Sequence, residues 1–388
     1  MSCENESEVI SQNEAPEKRE CIVTKKKSFK SKLVWSLVFV AIAALTIWAV
    51  TSQEGFSISE FINFLGEMET GWLICAFLGM LGFIVFEALA IMTIIKSFGF
   101  KRPFRKGIIY STSDIYFSAI TPSASGGQPA SAYFMMRDGI SGSMTTVSLI
   151  VNLVMYSFAI VIIGIVSILL KPSVFLGFPT LAKVLIIVGA VLLISIALFF
   201  LLLLYKSQIL LKMGNGLVSL LAKLRIMKKP DAMRKKLTKS IEEYRSHVAH
   251  LKGKGWMLVR ALVCNVLQRA SLISVTLFVY LASGNDPSMA IDVWVIQCLV
   301  VVGTNMIPIP GAMGISDYML ICGFAAIGFS DAAALNLNLA SRGVSFYLSV
   351  VLCGISMVVR IISYKVGAKM QAKKEALKSN DSLGNTNE

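Results

Sequence analysis

Thr121-Pro122-Ser123-Ala124-Ser125-Gly126-Gly127-Gln128-Pro129, running on to Arg137-Asp138-Gly139, sits in a chain that is otherwise strongly apolar around it. Two prolines remove backbone donors and paired glycines weaken helical order, so a continuous helix is not expected here. In lipid, unpaired backbone is tolerated only where protein buries it or where it lines a wet cavity. A break at membrane depth therefore points to a site. A second break, Pro308-Ile309-Pro310-Gly311-Ala312-Met313-Gly314, lies in the C-terminal half.

The setting of the two breaks is a membrane. Of 388 residues, 55% are hydrophobic and only 15% charged, and the mean hydropathy is +0.70. Soluble domains carry about a quarter charged residues. Several apolar runs reach the ~20 residues that cross a bilayer as a helix. The fold class is thus all-α, a polytopic membrane protein. Seven cysteines are scattered without a Cys-x-x-Cys pair and read as apolar fillers. His247 and His250 lack partner ligands, so neither a metal nor a cofactor is called for. The +14 net charge is read through its distribution along the spans rather than as a nucleic-acid signal.

That distribution sets the topology. Residues 1–32 form a disordered tail, acidic and then basic, ahead of a first span at Leu33–Val50. The loop 51–70 carries four glutamates and no lysine or arginine, so it faces outward. A second span, Gly71–Ile95, returns to Lys96, Lys101, Arg102, Arg105 and Lys106 on the cytosolic side. Further spans are expected at Thr145–Leu170 and Leu181–Tyr205, and the latter runs into a basic cytosolic segment, 206–254. Parity then forces residues 107–142 to begin and end in the cytosol, as two short limbs meeting at the first break. In the second half Gly255–Leu281 leads outward, and Ala332–Val359 returns to the cytosolic tail 366–388. The limbs around Pro308, Val293–Ile307 and Ile315–Ile327, then form a hairpin entering from outside. About six full spans plus two re-entrant hairpins in inverted repeats result, a recurring transporter plan. The competing arrangement lets both broken segments cross fully as kinked spans. Either way the chain is expected to be a multi-pass membrane protein with both termini cytosolic, residues 33–365 forming one transmembrane domain, and the plasma membrane is the expected location.

Polar groups inside these runs are the candidate site. Glu87, Asp114, Arg137, Arg269, Asp317 and Arg342 all fall within apolar stretches or hairpin limbs, with Asn265, Gln268, Asn336 and Asn338 nearby. An ionised group at the bilayer centre costs about 2.5–3.5 kcal/mol even on lenient scales. Retaining the set implies a hydrophilic pocket, with Arg137, Arg269 and Arg342 gripping a lipid phosphate through paired guanidinium donors. Glu87, Asp114 and Asp317 would meet a cationic headgroup or balance the arginines. The competing reading has them pair with one another as ties between helices. Gly126, Gly127, Gln128, Pro310 and Gly311 complete the candidate set at the two breaks. In 206–254, Ile209, Leu210, Met213, Leu217, Leu220, Leu221 and Leu224 recur at near-helical spacing among lysines. This suits an amphipathic helix on anionic phospholipid. The segment could equally be a solvated loop that only fixes topology. There is no Gly-x-x-x-x-Gly-Lys-Ser/Thr phosphate loop and no Gly-x-Ser-x-Gly elbow.

The stretch from Thr121 to Tyr133, followed by Arg137 and Gly139-Ile140, resembles the T-P-x-x-x-G-G-[EQ]-P element of the lysylphosphatidylglycerol synthase transmembrane family. Ile307 to Gly314 is similar to that family's P-x-P-G-x-x-G element, with Asp317 where many members carry glutamate. The resemblance covers about residues 30–365. It implies a flippase-like membrane domain, here expected without the cytosolic aminoacyltransferase domain of the multiple peptide resistance factor. It also implies a lipid substrate, an aminoacylated or glycosylated phospholipid such as lysyl-phosphatidylglycerol. A separate aminoacyltransferase or glycosyltransferase would be the partner, and a homo-oligomer stays open. The rival implied by the family's name is phosphatidylglycerol lysyltransferase activity, or the membrane subunit of such a synthase, serving resistance to cationic antimicrobial peptides. A non-catalytic scaffold for such an enzyme is a third reading.

Overall fold

The computed structural model describes residues 58–121, 124–223, 230–251, 253–307, 309, 312, 314–360 and 362–363. The expected first span Leu33–Val50, both tails, and Pro310 and Gly311 lie outside the described residues. Among those described there are helices and turns but no strand.

A short helix α1 (Ile58–Gly66) precedes the long α2 (Thr70–Ser97). Two limbs follow, α3 (Phe104–Ala119) and α4 (Gly127–Arg137), and they pack against each other. Next come α5 (Gly142–Leu170), the single turn and a half of α6 (Pro172–Gly177) and α7 (Thr180–Tyr205). The basic segment folds as α8 (Ser207–Lys223) and α9 (Pro230–Ala249). The second half contains α10 (Gly255–Ala282), the paired limbs α11 (Ala290–Thr304) and α12 (Ile315–Ala326), and α13 (Asp331–Arg360). Six of these helices are long and apolar enough to cross a membrane. Five are the expected spans, with ends within three residues of those read from the sequence. The sixth, Pro287–Thr304, is the first limb of the second hairpin together with its leading turn.

The limbs are short for physical reasons. At 1.5 Å per residue, the 16 residues of α3 and the 11 of α4 reach about 24 and 16 Å. A hydrocarbon core is about 30 Å thick. The hairpin feet lie at opposite ends of the bundle. Arg102 and Lys106, at the foot of α3, meet Asp138 just beyond α4, as does Arg360 at the end of α13. Lys254, before α10, donates to the Ser97 carbonyl at the same end. The feet of the second hairpin lie at the other end, where Lys171 after α5 pairs with Asp292 at 3.1 Å. There the Glu69 amide also donates to the Ala282 carbonyl at 2.7 Å, joining the start of α2 to the close of α10.

Small residues let these helices approach. Cβ atoms on Gly79 and Gly82 would stand 3.0 Å from Ser271, and among the described residues α2 and α10 form the most extensive helix pair. Gly189 of α7 crosses α11 so closely that a Cβ would lie 2.3 Å from the Val302 carbonyl. Small-residue crossings of this kind substitute for the hydrophobic driving force that lipid removes. The bundle's outer face is apolar, with Leu181, Ile187, Val191, Leu198, Val351, Ile355 and Val359 all exposed. Lipid rather than water matches such a surface.

The apolar residues from Ile209 to Leu221 fall in the single helix α8, which pairs antiparallel with α9. A Cβ on Gly214 would meet Leu237 at 2.6 Å, so the two cross tightly. α9 also packs on α5, burying Ile241 and Tyr244, and the Tyr244 hydroxyl donates to the Leu203 carbonyl at 3.3 Å. Burial pushes the Tyr244 phenol up to about 12.

Candidate functional site

The tips of both hairpins meet at one cavity of about 550 Å³. Ala124 and Gln128 reach it from the first tip; Ile307, Ile309, Ala312 and Ser316 reach it from the second. The tips share a backbone device. Ala124 has φ 51 and Ala312 has φ 49, the left-handed region that non-glycine residues adopt only under strain. Each alanine amide donates three residues back, Ala124 to the Thr121 carbonyl at 3.2 Å and Ala312 to the Ile309 carbonyl at 2.9 Å. The chain thus turns sharply at both breaks, and both strained residues face the cavity.

The first tip is tied from within. Gln128 Nε2 donates to Asp114 Oδ2 at 2.8 Å, joining the return limb to the first limb, and Ser118 donates to Asp114 Oδ1 at 3.3 Å. Glu87 accepts from Ser111 at 3.1 Å, and its carboxyl also reaches that of Asp114. Gly127 is the residue that permits this. A Cβ there would fall 2.0 Å from Asp114 Oδ1 and from Ser118 Oγ. Gly126 donates its amide to Thr121 Oγ1 at 2.8 Å and is similarly confined. Both glycines shape the turn and do not line the cavity.

The second tip is held by Asp317. It pairs with Arg342 of α13, accepts from Asn338 Nδ2 at 2.8 Å and takes the Gly314 amide at 2.8 Å, capping α12. Gly314 has φ 83, a geometry suited to glycine. Arg342 also donates to Ser316 and faces the cavity. Immediately after it, residues Gly343–Leu348 widen into a π-helical stretch that turns Ser345 and Phe346 towards the same space. Such widenings recur at functional sites.

Arg269, on α10, is placed differently. Its guanidinium stacks 4.2 Å from the centre of the Tyr156 ring and 5.5 Å from that of Phe83, and donates to the Tyr156 hydroxyl. The Tyr156 hydroxyl in turn donates a hydrogen bond to Asn305 Oδ1 at 2.8 Å. Among the described residues no carboxylate lies within ion-pair distance of Arg269, although Glu87 and Asp114 share the cavity with it.

The structure therefore gathers Glu87, Asp114, Gln128, Arg269 and Arg342 around one space, with Asp317 directly behind Arg342. Arg137 is not among them. It lies at the foot of α4, donating to the Tyr133 hydroxyl at 3.0 Å, so the expected three-arginine grip has two members at the cavity. The reason is geometric: Arg137 closes the return limb, a full limb length from the tip. Its neighbour Asp138, which sequence reasoning passed over, instead gathers Lys106, Tyr110 and Arg360 around a buried carboxylate. Tyr156, Asn152, Gln297 and Asn305 were missed as well. They are uncharged polar residues, Asn152 and Tyr156 on α5, Gln297 on α11 and Asn305 just beyond it, and only spatial convergence marks them.

No curated protein matches the chain. The family described as the lysylphosphatidylglycerol synthase TM region matches residues 33–353, and the chain belongs to that family.

Proposed function

We propose that this protein is a lipid translocator of the plasma membrane, moving an aminoacylated or glycosylated phospholipid between leaflets, with both termini in the cytosol. The observation that carries the reading is the convergence of two hairpin tips, rooted at opposite ends of the bundle, on one cavity lined by charged and polar side chains among apolar ones. About 550 Å³ lies within the 300–1,000 Å³ typical of small-ligand sites and suits a headgroup. The acyl tails would stay in the surrounding lipid. Arg269 supplies a guanidinium unmatched by a carboxylate at contact distance, the group suited to a phosphate.

The test uses purified protein in liposomes with fluorescent-tailed phosphatidylglycerol, lysyl-phosphatidylglycerol and a glycolipid, following accessibility in the outer leaflet. A charged hydrogen bond contributes about 1.5–3 kcal/mol, so Arg269→Ala should slow exchange roughly ten- to hundredfold. No exchange of any lipid would remove the translocator reading. New lysyl-lipid appearing on addition of lysyl-tRNA would replace it with a transferase.

A further inference from the structure

Glu87 on α2 and Asp114 on α3 are buried, at 5% and 7% exposed, and line the cavity together. Their carboxyls reach each other, and among the described residues no cation lies within ion-pair distance of either. Ionised carboxylates are acceptors only, so two of them in contact without a cation between them share a proton. Ser111 points to the same ligand independently. Its single hydroxyl proton faces two acceptors, the Ile84 carbonyl at 2.9 Å and Glu87 Oε2 at 3.1 Å. The carbonyl can only accept. Ser111 therefore has two arrangements: it donates to an ionised Glu87, or it donates to Ile84 and accepts from a protonated Glu87. Glu87 is thus satisfied with a proton and without one.

The groups facing the pair fix its charge. From α10, Arg269 acts on both carboxyls through space. From α5, the Tyr156 hydroxyl is engaged by Arg269 and Asn305. From α4, it is the neutral Gln128 that reaches Asp114. On α13, Cys353 is fully buried near Glu87, and Arg342 is matched by Asp317. With one proton on the pair, its remaining negative charge and the positive charge of Arg269 cancel. A headgroup with a net negative charge upsets that balance, and uncompensated charge at bilayer depth is costly. A second proton on the pair restores it. A headgroup with a net positive charge is balanced the other way, by loss of the shared proton.

We propose that the Glu87–Asp114 pair is a proton-binding site that matches the net charge of the bound headgroup, so that lipid movement is coupled to proton movement. The proposal rests on the translocation reading and adds its source of energy. An anionic phospholipid travels with a proton, taken from water on the side where the lipid enters and returned to water on the side where it leaves. A cationic one displaces the proton on entry, and the pair regains one when the lipid departs.

The experiment places full-length protein in liposomes with tracer amounts of fluorescent-tailed phosphatidylglycerol, net negative, or lysyl-phosphatidylglycerol, net positive. A pH difference of about one unit is imposed across the bilayer, and protein-free liposomes give each lipid's own response for subtraction. One unit is a tenfold proton gradient, so one proton per lipid should shift the leaflet ratio by up to about tenfold. Phosphatidylglycerol should gather in the leaflet on the alkaline side and lysyl-phosphatidylglycerol in the leaflet on the acidic side. Exchange of either lipid with a leaflet ratio indifferent to the gradient, or shifted the opposite way, would overturn the proposal and leave translocation standing. A monodisperse Glu87→Gln protein should lose the gradient response, and one that still concentrated lipid along the gradient would overturn the proposal too. No exchange of any lipid would overturn both readings. The gradient response needs only the unsubstituted chain, so it decides even where the variant fails to fold.

Discussion

Replacing Asp317 with alanine removes three contacts at once: the pair with Arg342, the acceptor of Asn338 and the cap on the Gly314 amide. The side chains of Asp317 and Arg342 are 11% and 12% exposed, so the guanidinium left behind is a nearly buried, uncompensated charge. Breaking such a pair from one side costs about 3–5 kcal/mol. The cap alone accounts for about 1 kcal/mol, but the three losses share one carboxylate and do not add. At about 2 °C per kcal/mol for a chain of this size or somewhat smaller, the apparent Tm should fall by roughly 6–10 °C. The decisive comparison is the double variant Asp317→Leu/Arg342→Met. Replacing both partners of a buried pair with apolar residues of similar volume is often neutral or better. The double variant should therefore recover most of the lost Tm, measured by retention of the monodisperse chromatographic peak after heating. It should not recover transport, because Arg342 faces the cavity. A single variant within about 2 °C of the unsubstituted protein, or a double variant no better than the single, would refute the argument.

Gly127→Ala should destabilise by about 1–3 kcal/mol and abolish lipid exchange, because its Cβ would also meet the Asp114 carbonyl at 2.6 Å, where nothing can rotate away. Gly71→Ala, with nothing within 4 Å of the new Cβ, is the matched control and should be neutral or slightly stabilising in the same thermal assay. Tyr244→Phe should loosen α9 from the end of α7 by about 0.5–1.5 kcal/mol, read as faster proteolysis of the 206–254 segment. The phenol is held protonated in the fold up to about 12, against about 10 when unfolded. The Tyr244 contribution is therefore complete below pH 10 and is lost as pH rises from 10 to 12, a difference between the two proteins that should shrink across that window.

The long elements were legible because hydrophobicity over 18 or more residues leaves few alternatives. Thr70–Ser97, Gly142–Leu170, Thr180–Tyr205 and Gly255–Ala282 begin and end within three residues of the apolar runs. The paired limbs were legible from proline and glycine, while loop charge and parity alone also allowed two kinked full crossings. The common geometry of the tips was not. Ala124 and Ala312 adopt positive φ, yet alanine carries no signal for that region, and glycine stands next to each break without being the strained residue. Nor could the sequence divide the charged set between bracing and binding. Asp317 and Arg342 are 25 positions apart and meet only because α12 folds back along α13, while Arg137 and Asp138 are adjacent and serve different neighbours.

That division bears on how the cavity could change its access. The first hairpin is bound at its tip by Asp114–Gln128 and at its foot by Asp138, whose buried carboxylate holds Lys106 and Tyr110 and lies 3.5 Å from Arg360. The second is bound at its tip by Asp317 and at its foot by Lys171–Asp292, where the lysine is 38% exposed. Exposed pairs contribute about 0–1 kcal/mol, whereas a buried carboxylate shared among several donors is far harder to open. Tip and foot thus restrain each hairpin as a unit with the helices beside it. The weaker tie is the foot at Lys171, so rocking α11 and α12 away from α5 at that end disrupts less than parting α3 and α4 from α13 at the other.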